Sequence, residues 1–558
     1  MIRLLIVLVH NLAVLLIRMA FWPVWLVTRL RPMTLRIDVP PHPARRPAGR
    51  LARMLGLGEA DLETIHDLVG VVRRDPMFRG IVVTVPAGGL SRSDAVDLRE
   101  ALGTVVEAGK AVTVVLREGG GLGEIRIAPP GSRIVVHPAA VLRLEGAAAM
   151  PLAIGDMLAR LGVRADLEAV GEYKTAPEMF TRPDISDRNR LQIRSLLEDV
   201  DSALVGDVAA TRRVGADAVR SWIAEKVLTP AEACRHGAVD AVGLDEEAEA
   251  YAGGPSRVVL PSDLPARLRI RWRHRPWRRP VVVGVVSIRG QILSRPPGPQ
   301  PGVAAVASAV APVVERAGRD PAIRAIVLDI DSRGGSALGA DAIYRRARAA
   351  AGLKPVVARL REVAASGGYY IAAAAHEIVA LPDTITGSIG VFGGKIAADG
   401  LLGKLGVAAE RVTAIDPAAG IMLPDRPFTD EERALVRKEM RAVYDVFLGI
   451  VADRKGKSPA EVEPAAGGRV LSGSRALGHD LVDRLGGRRA LVEALAARLR
   501  CPPDRIALRH LDRPSPLGFL EPSRWIDASL ARALATARLV AAERVVAELP
   551  LDLSADEC

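Results

Sequence analysis

The fold is decided by the stretch Arg361-Glu362-Val363-Ala364-Ala365-Ser366-Gly367-Gly368-Tyr369-Tyr370-Ile371-Ala372-Ala373-Ala374-Ala375. An apolar strand is predicted over residues 355–360 just before it, and an unbroken apolar helical run is predicted after the serine. A serine between a strand end and a helix start is held at an exposed, strained turn, and glycines beside it let a substrate backbone approach closely. The alternative interpretation is an N-cap serine on a buried helix. This stretch alone does not separate a nucleophile from a helix cap.

Length and composition set broad limits on the architecture. A chain of 558 residues is too long for one core, so we expect about three domains, or two large ones with tails. Hydrophobic residues make up 49% of the chain and charged residues 25%, which is typical of a globular protein. Cys234, Cys501 and Cys558 show no paired or metal-ligand spacing, which argues against a disulfide framework and a zinc site. The formal net charge of +11 is concentrated in Arg-Pro-rich segments, which favours linker and membrane-surface charge over nucleic-acid binding.

Residues 4–26 are almost continuously apolar, interrupted by His10, Asn11 and Arg18. About 20 helical residues cross the hydrocarbon layer of a bilayer, so the length suffices, although a mid-membrane arginine costs at least about 2.5 kcal/mol. No small-residue cleavage site follows the segment. We therefore predict an uncleaved single-pass membrane anchor over residues 1–30, with a helix lying deep in one leaflet as the alternative.

An internal repeat indicates two units of the same fold. The sequence Asp75-Pro76-Met77-Phe78-Arg79-Gly80-Ile81-Val82-Val83 resembles Asp320-Pro321-Ala322-Ile323-Arg324-Ala325-Ile326-Val327-Leu328 at an offset of 245 residues, and later matches continue at offsets of 244 and 243. Each copy alternates Val/Ile-rich runs with amphipathic helical stretches, which is typical of an α/β fold. We predict a first repeat over residues 31–252, an Arg/Trp-rich linker over 253–280, a second repeat over 281–500 and a C-terminal helical tail over 501–558.

The two copies have matching predicted elements. Paired strands are predicted at 81–85 and 326–330, at 111–116 and 355–360, and at 133–136 and 377–380. A long amphipathic helix is predicted in each copy, over 187–212 and 430–455, and Thr429 with Glu432 forms a capping box at the second start. The linker carries seven arginines between Arg267 and Arg279, which indicates a solvated connection or contact with anionic lipid, with nucleic acid as the weaker alternative. In the tail, apolar residues from Leu530 to Val545 fall on one face of a predicted helix.

Each copy lacks a residue that the other has. Ser366 aligns with Leu122, which is no nucleophile, and Lys174 aligns with Ala418, which is no base. Complementary loss after a duplication leaves one composite site between the copies. We therefore predict that Ser366 and Lys174 come together from different copies.

Four motifs in register carry a resemblance to a known family. They are Ala365-Ser366-Gly367-Gly368-Tyr369, Thr386-Gly387-Ser388-Ile389-Gly390-Val391-Phe392-Gly393, Asp331-Ser332-Arg333-Gly334-Gly335-Ser336 and Tyr173-Lys174-Thr175-Ala176. In these motifs the chain resembles the long, duplicated form of the signal peptide peptidase A family, also called protease IV. Its members are serine-lysine peptidases with a fold similar to the Clp protease and crotonase families. The resemblance implies two tandem copies of a Clp/crotonase-like α/β fold preceded by the membrane helix.

The resemblance also implies that Ser366 is the nucleophile and that Lys174 is its general base. A neutral amine can take the proton of a hydroxyl, as histidine does in other hydrolases. The reference pKa of lysine is about 10.4, and lowering it toward 7 takes roughly 4 kcal/mol against the charged form, which burial among apolar groups can supply. An ordinary surface lysine is the alternative, and the complementary repeat argues against it.

Backbone donors are expected to stabilise the oxyanion of such a reaction. Gly334 and Gly335 follow a predicted strand, and their N–H groups, with that of Gly367, are candidates for the oxyanion hole. A plain turn is the alternative for the glycine pair. The family usually has proline where this chain has Arg333. Ser388 resembles the family's second serine, which orients the lysine, and its alternative is a turn hydroxyl.

Other polar residues near the serine are expected to be structural. His376 lies ten residues after Ser366, about 15 Å along a helix, so a serine-histidine pair is not expected. Asp329 and Asp331 flank a strand end, where a structural role is favoured over catalysis. The sequence contains no metal-ligand cluster or nucleotide-binding motif, so we expect neither a cofactor nor a metal.

The resemblance implies a membrane-bound serine endopeptidase that degrades cleaved signal peptides and other apolar peptides through an acyl-enzyme. Peptides and membrane lipid are then the partners, without nucleic acid, and the family's assembly is a homo-oligomer, a tetramer. It also places the chain in the bacterial inner membrane with a periplasmic body, whereas six arginines between Arg29 and Arg50 favour a cytoplasmic body. The alternatives are a crotonase-type acyl-CoA enzyme and a non-catalytic membrane scaffold of the same fold.

Overall fold

The structure of the protein is a computed structural model that describes residues 32–41, 43, 61–253, 257–259, 280–295, 304–416, 419–511 and 545–548. The strands are β1 (Met33–Asp38), β2 (Phe78–Thr84), β3 (Ala111–Leu116), β4 (Arg133–Val136), β5 (Leu142–Arg143), β6 (Arg164–Val170), β7 (Val227–Leu228), β8 (Ala241–Val242), β9 (Arg257–Val259), β10 (Val281–Arg289), β11 (Gln291–Leu293), β12 (Ala304–Val306), β13 (Ala325–Ser332), β14 (Gly334–Ser336), β15 (Val356–Ala365), β16 (Glu377–Ala380), β17 (Ile385–Gly387), β18 (Val391–Ala397), β19 (Val470–Ser472), β20 (Arg484–Leu485), β21 (Ile506–His510) and β22 (Val545–Glu548).

The helices are α1 (Leu62–Arg74), α2 (Arg92–Glu107), α3 (Leu122–Ile127), α4 (Gly155–Leu161), α5 (Glu178–Thr181), α6 (Asp187–Arg212), α7 (Ala216–Glu225), α8 (Pro230–Arg235), α9 (Asp245–Gly253), α10 (Ala307–Arg319), α11 (Ala337–Ala351), α12 (Gly367–Ala372), α13 (Asp399–Lys404), α14 (Asp430–Lys455), α15 (Pro459–Val462), α16 (Gly473–Gly478) and α17 (Arg488–Leu499). Two single 3₁₀ turns lie at Glu463–Ala465 and Pro503–Arg505.

A parallel sheet forms the centre of each half of the chain. The first has the order β8-β4-β3-β2-β1-β9, and all its pairs are parallel. The second has the order β19-β17-β15-β13-β10-β21, with β16 pairing both β15 and β20, and only its edge pair β17–β19 is antiparallel. Helices cover both faces, so the central strands are almost continuously buried, as is usual for parallel sheets.

The third sheet is shared between the two halves and has the order β12-β11-β14-β22-β18-β6. Strand β6 of the first half pairs antiparallel with β18 of the second over seven residue pairs, from Val391 opposite Val170 to Ala397 opposite Arg164. At the repeat offset of 244, β18 corresponds to residues 147–153 and β6 to residues 408–414, and neither segment is a strand. Each copy therefore supplies the strand that the other lacks.

Buried ion pairs also join the two halves. Asp94 and Asp97 on α2 of the first half bind Arg361 and Arg359 on β15 of the second, and all four side chains are at most 6% exposed. The Arg359–Asp97 contact is 2.6 Å. Such pairs are favourable only when both partners are present, because removing one leaves an uncompensated buried charge. Strand β15, which ends one residue before Ser366, is thus fixed to the first half by charge as well as by packing.

The predicted strands and long helices are confirmed. Strands β3, β4 and β16 have the predicted bounds, whereas β2, β13 and β15 are longer than predicted. Helices α6 and α14 have the predicted bounds, and Thr429 and Glu432 form the expected capping box. The helical run after Ser366 was predicted to continue to Ala375 and is wrong in length: α12 ends at Ala372, because a turn must bring the chain back into β16 beside β15.

Three predictions fall wholly or partly outside the described residues. The proposed anchor at residues 4–26 lies outside them, and within them no helix combines the length and apolar character needed to cross a bilayer. The predicted linker lies mostly outside them, but its residues Arg257–Val259 form β9 at the edge of the first sheet. The predicted tail also supplies strands: β21 pairs with β10, and β22 pairs with β14 and β18. Val545, assigned to a tail helix, is the first residue of β22, while residues 530–544 lie outside the described part.

Candidate active site

Ser366 occupies the turn between β15 and α12 in a backbone conformation that is unusual for a residue with a side chain. It is the N-cap of α12, with φ 54° and ψ −116°. Its N–H donates to the carbonyl of Gly387 at 2.8 Å, which fixes the turn. A Cβ at Gly368 would lie 2.8 Å from the carbonyl oxygen of Ser332, so the turn requires glycine there. Positive φ at a non-glycine residue costs of order 1–3 kcal/mol and is typical of functional sites.

Lys174 follows β6 and reaches Ser366 from the first half of the chain. Its Nζ lies 2.7 Å from Ser366 Oγ, and the two residues are 4% and 0% exposed. The predicted meeting of the two side chains is therefore present in the structure. The helices that follow β3 and β15 begin at Leu122 and Gly367, an offset of 245, so Gly121 rather than Leu122 stands at the position of Ser366. Neither residue carries a hydroxyl, so the complementarity between the copies is unchanged.

Ser388 also lies within hydrogen-bond distance of the amine. Lys174 Nζ lies 3.1 Å from Ser388 Oγ and 3.3 Å from the Ser388 carbonyl oxygen. Ser388 also has positive φ, at 49°, and is fully buried. The Ser366 hydroxyl additionally lies 3.4 Å from the Gly390 carbonyl oxygen. Three oxygens thus lie within 3.3 Å of the lysine nitrogen, two of them from Ser388.

Lys174 is buried, and residues close to it and to Ser366 in the chain belong to two apolar clusters. Ala176 and Phe392 form one buried cluster with the partly buried Leu167 and Leu293. The second cluster includes Ala365, which precedes Ser366, and also joins the halves: Ile193, Leu196, Val363, Ala365, Ile385 and Val470. An ammonium group in such a position loses most of its hydration, which favours the neutral amine.

The three glycines proposed for the oxyanion hole have different environments. Gly334 and Gly335 lie in β14 with φ of 106° and 144°. The N–H of Gly334 donates to Ser332 Oγ at 3.1 Å, so this donor is already engaged in the structure. Gly367 is the first residue of α12, where a backbone N–H has no intrahelical acceptor.

His376 and the two aspartates do not join the serine. His376 is exposed, lies in the turn before β16, and its Nδ1 accepts the N–H of Val356 at 3.1 Å. Partial loss of hydration on one side of the ring, with the nearby charge of Arg498, lowers its pKa. Asp329 is buried beside Arg289 and Arg361, and Asp331 accepts the N–H of Val363. These contacts are structural.

The segment Gly467-Gly468-Arg469 was not predicted as part of the site, yet it links both sides of it. The N–H of Tyr173 donates to the Gly467 carbonyl at 2.8 Å, and the N–H of Ser388 donates to the Arg469 carbonyl at 2.5 Å. A Cβ at Gly468 would lie 2.4 Å from the backbone nitrogen of Lys174. The adjacent glycines were the available signal in the sequence, but a glycine pair alone indicates only a turn.

Comparison with known proteins connects this geometry to a family. The model of peptidase family S49 matches residues 105–253 and 348–501, which include Lys174 and Ser366 and together exceed half of the chain. The chain belongs to peptidase family S49. One matched stretch falls in each half, which agrees with the repeat, and S49 membership supports a Clp/crotonase-like peptidase fold and a serine-type peptidase.

Several relatives of this S49 peptidase are named as proteases. It is 27% identical over 406 residues to "Serine protease SPPA, chloroplastic" of Arabidopsis thaliana, covering 71% of this chain and 60% of that protein. It is 27% identical to "Protease 4" of Haemophilus influenzae, covering 74% of this chain and 69% of that protein. It is 28% identical to "Protease 4" of Salmonella typhi, covering 78% of this chain and 73% of that protein.

Among solved structures, the S49 peptidase is similar to a substrate-peptide complex of the 1510-N membrane-bound stomatin-specific protease. The sequence identity is 17%, the TM-score is 0.28, and the match covers 44% of this chain and 97% of that one.

Proposed function

We propose that this chain is a serine endopeptidase in which Ser366 attacks the peptide carbonyl and Lys174 is the general base. The observation that carries the proposal is the 2.7 Å contact between Lys174 Nζ and Ser366 Oγ at full burial of the serine. A general base must lie within hydrogen-bond reach of the proton that it removes, about 2.6–3.2 Å, and this one does.

The contacts of Lys174 suit a neutral amine. Such an amine has two hydrogens and one lone pair. The oxygens of Ser388 at 3.1 and 3.3 Å can accept the two hydrogens, which leaves the lone pair for the hydroxyl proton of Ser366. We assign Ser388 as the lysine-orienting residue on this basis.

The proposed reaction has two stages, acylation of Ser366 and hydrolysis of the resulting ester. Ser366 Oγ bonds to the scissile carbonyl carbon while its proton moves to Lys174 Nζ, and the carbonyl oxygen becomes an oxyanion. The ammonium next protonates the leaving amine, the C–N bond breaks, and an ester on Ser366 remains. A water molecule then attacks the ester carbon while Lys174 takes one of its protons. The bond from that carbon to Ser366 Oγ breaks, the ammonium returns the proton to Oγ, and the second product leaves as a carboxylic acid.

The oxyanion requires preorganised N–H donors. We assign this role to the N–H of Gly367 at the start of α12 and to the glycine pair of β14. Within the pair, Gly335 is the better candidate, because the N–H of Gly334 is held by Ser332 Oγ. A helix start also favours negative charge through its aligned peptide dipoles.

The third sheet supports an extended peptide as the substrate. Strand β22 lies antiparallel between β14, which carries the glycine pair, and β18, which follows Ser388 by three residues. A strand fits this position with backbone hydrogen bonds on both sides, which is how extended peptides are recognised without dependence on their sequence. We call the space between β14 and β18 the strand slot. By family resemblance, we propose apolar peptides, notably cleaved signal peptides, as occupants.

The remaining parts of the assignment also rest on the resemblance and on the sequence. We propose residues 1–30 as a single-pass anchor in the bacterial inner membrane, a periplasmic body, contact with lipid, and a homo-oligomer, with four subunits as in the family. We also propose the tandem boundaries predicted above. A reporter fused at the C-terminus tests the orientation, and a cytoplasmic signal would contradict the periplasmic placement.

A covalent probe tests the central proposal. A serine-directed phosphonate should label the full-length protein at Ser366, and the label should be lost in Ser366→Ala and strongly reduced in Lys174→Ala. Acyl-CoA thioesters offered in parallel should not be turned over. Thioester turnover without labelling would favour the crotonase-type alternative. If neither labelling nor thioester turnover occurs, the result would favour the non-catalytic scaffold.

A further inference from the structure

The side chain of Gln192 uses both ends of its amide to connect the two halves of the site. Gln192 lies in α6 and is 8% exposed. Its Nε2 donates to the carbonyl of Tyr173 at 3.1 Å, and its Oε1 accepts the N–H of Val470 at 3.0 Å. A buried amide with both ends paired holds its partners in one relative position, because losing either bond leaves a buried polar group unsatisfied.

The two partners of Gln192 lie close to the reacting groups, one along the chain and the other across a strand pair. Tyr173 precedes Lys174 in the chain. Val470 pairs with Gly387 in the β17–β19 ladder, and Gly387 precedes Ser388 and accepts the N–H of Ser366. The Gln192 amide thus connects the backbone next to Lys174 with the backbone next to Ser366 and Ser388.

A second set of contacts runs parallel to the Gln192 amide. The Gly467–Arg469 segment receives the N–H groups of Tyr173 and Ser388, and the N–H of Gly468 donates to the Ile389 carbonyl at 2.7 Å. The guanidinium of Arg469 lies 3.8 Å from the centre of the Tyr173 ring. Arg469 directly precedes Val470, the residue bound by Gln192. The Gly467–Arg469 segment and Gln192 therefore both fix the backbone of residues 467–470.

We propose that Gln192 is a positioning residue for the reaction, setting the separation between Lys174 Nζ and Ser366 Oγ without touching either. This inference rests on the proposed serine-lysine mechanism. A small displacement of a general base costs rate rather than substrate affinity, because substrate contacts are unchanged while proton transfer becomes less favourable. The two hydrogen bonds of the Gln192 amide end on Tyr173 and Val470, which lie outside β14 and β18, the strands that border the strand slot.

The test compares Gln192→Met with Thr211→Val in the full-length protein. Methionine has a similar length and removes both amide bonds. Thr211 lies at the other end of the same helix, is 5% exposed, and donates to the Ala128 carbonyl at 2.8 Å, so its valine variant removes one buried hydrogen bond far from the site. Gln192→Glu is the third variant, because a carboxylate keeps the acceptor for Val470 but cannot donate to Tyr173.

Steady-state cleavage of a fluorogenic apolar peptide, the pH profile of kcat/KM and thermal unfolding are measured for each variant. Gln192→Met should lower kcat about 10–100-fold with KM within about twofold, and should shift the pH at which activity rises. Thr211→Val should change neither kcat nor the profile. Gln192→Glu should resemble the methionine variant.

Two results would overturn the inference: a Gln192→Met enzyme with the kcat and pH profile of Thr211→Val, or a loss of kcat that simply follows a loss of folded protein. Failure of the mechanism itself is separate, because it would appear as peptide cleavage that survives Ser366→Ala.

Discussion

Lys174 Nζ and Ser366 Oγ are 2.7 Å apart, although 192 residues separate them in the chain. The contact exists because β6, which precedes Lys174 by a few residues, pairs with strand β18 of the second half rather than with a strand of its own half. Residues 147–153 and 408–414, the repeat counterparts of β18 and β6, form no strand. Both the candidate site and the third sheet are therefore built from residues of the two halves of the chain.

The first prediction concerns the two reacting side chains. Ser366→Ala and Lys174→Ala should each lower peptide cleavage by at least about 10³-fold, because the first removes the proposed nucleophile and the second removes the proposed general base. Lys174→Arg should be equally inactive, since a guanidinium stays protonated. Circular dichroism should show unchanged folding. Activity within about tenfold of wild type in any of the three would contradict the dyad.

The second prediction uses the two adjacent glycines of the Gly467–Arg469 segment as a matched pair. Gly468→Ala places a methyl 2.4 Å from the backbone nitrogen of Lys174, whereas Gly467→Ala meets nothing within 4 Å. Both have positive φ, 82° and 60°, so both carry a backbone penalty of about 1–2 kcal/mol. Only Gly468→Ala should also abolish cleavage. Equal activities in the two variants would show that this close approach is unimportant.

The third prediction concerns the strand that lies in the slot. A chain ending at residue 511 lacks β22, whereas one ending at residue 548 keeps it. Because a tethered strand competes at high effective concentration, the shorter chain should cleave a test peptide about tenfold faster at low substrate. A synthetic peptide spanning β22 should inhibit the shorter chain. Equal rates for the two truncations, with both folded, would show that β22 does not compete with substrate.

The fourth prediction concerns stability at low pH. Burial, with the charge of Arg488, lowers the pKa of His66 from 6.5 to about 4. Between these values the unfolded chain takes up a proton that the native protein does not, so this residue makes the native state less stable as pH falls. The loss is at most about 3 kcal/mol by pH 4 and absent above pH 7. Urea unfolding of His66→Asn should show a smaller loss between pH 7 and 4, and an identical slope would refute the assignment.

Much of the fold was predictable because its signals are local. Short stretches of sequence are enough to predict the valine-rich parallel strands and the two long amphipathic helices. The internal repeat also predicts each of these elements a second time, in the other copy. The pairing of Ser366 with Lys174 followed from what each copy lacks. The catalytic roles of these residues remain a proposal.

The parts that were missed depend on distant segments. Nothing near residues 164–170 indicates that they pair with a strand more than 200 residues later, and nothing near Gln192 indicates partners on both sides of the site. The tail strand β22 was assigned to a helix because its apolar residues extend a helical pattern, and only pairing with β14 and β18 makes it a strand. The overlong helix after Ser366 has the same origin, since the turn that ends it is required by β16.

The shared third sheet has a consequence for biosynthesis. During translation the first half, which contains Lys174, emerges from the ribosome first. That half contains neither Ser366 nor strand β18, with which β6 pairs. If Ser366 and Lys174 act as proposed, peptide hydrolysis requires that the second half has been made and has folded against the first. Under that mechanism, a translation product that stops before the second half is made cannot cleave peptides.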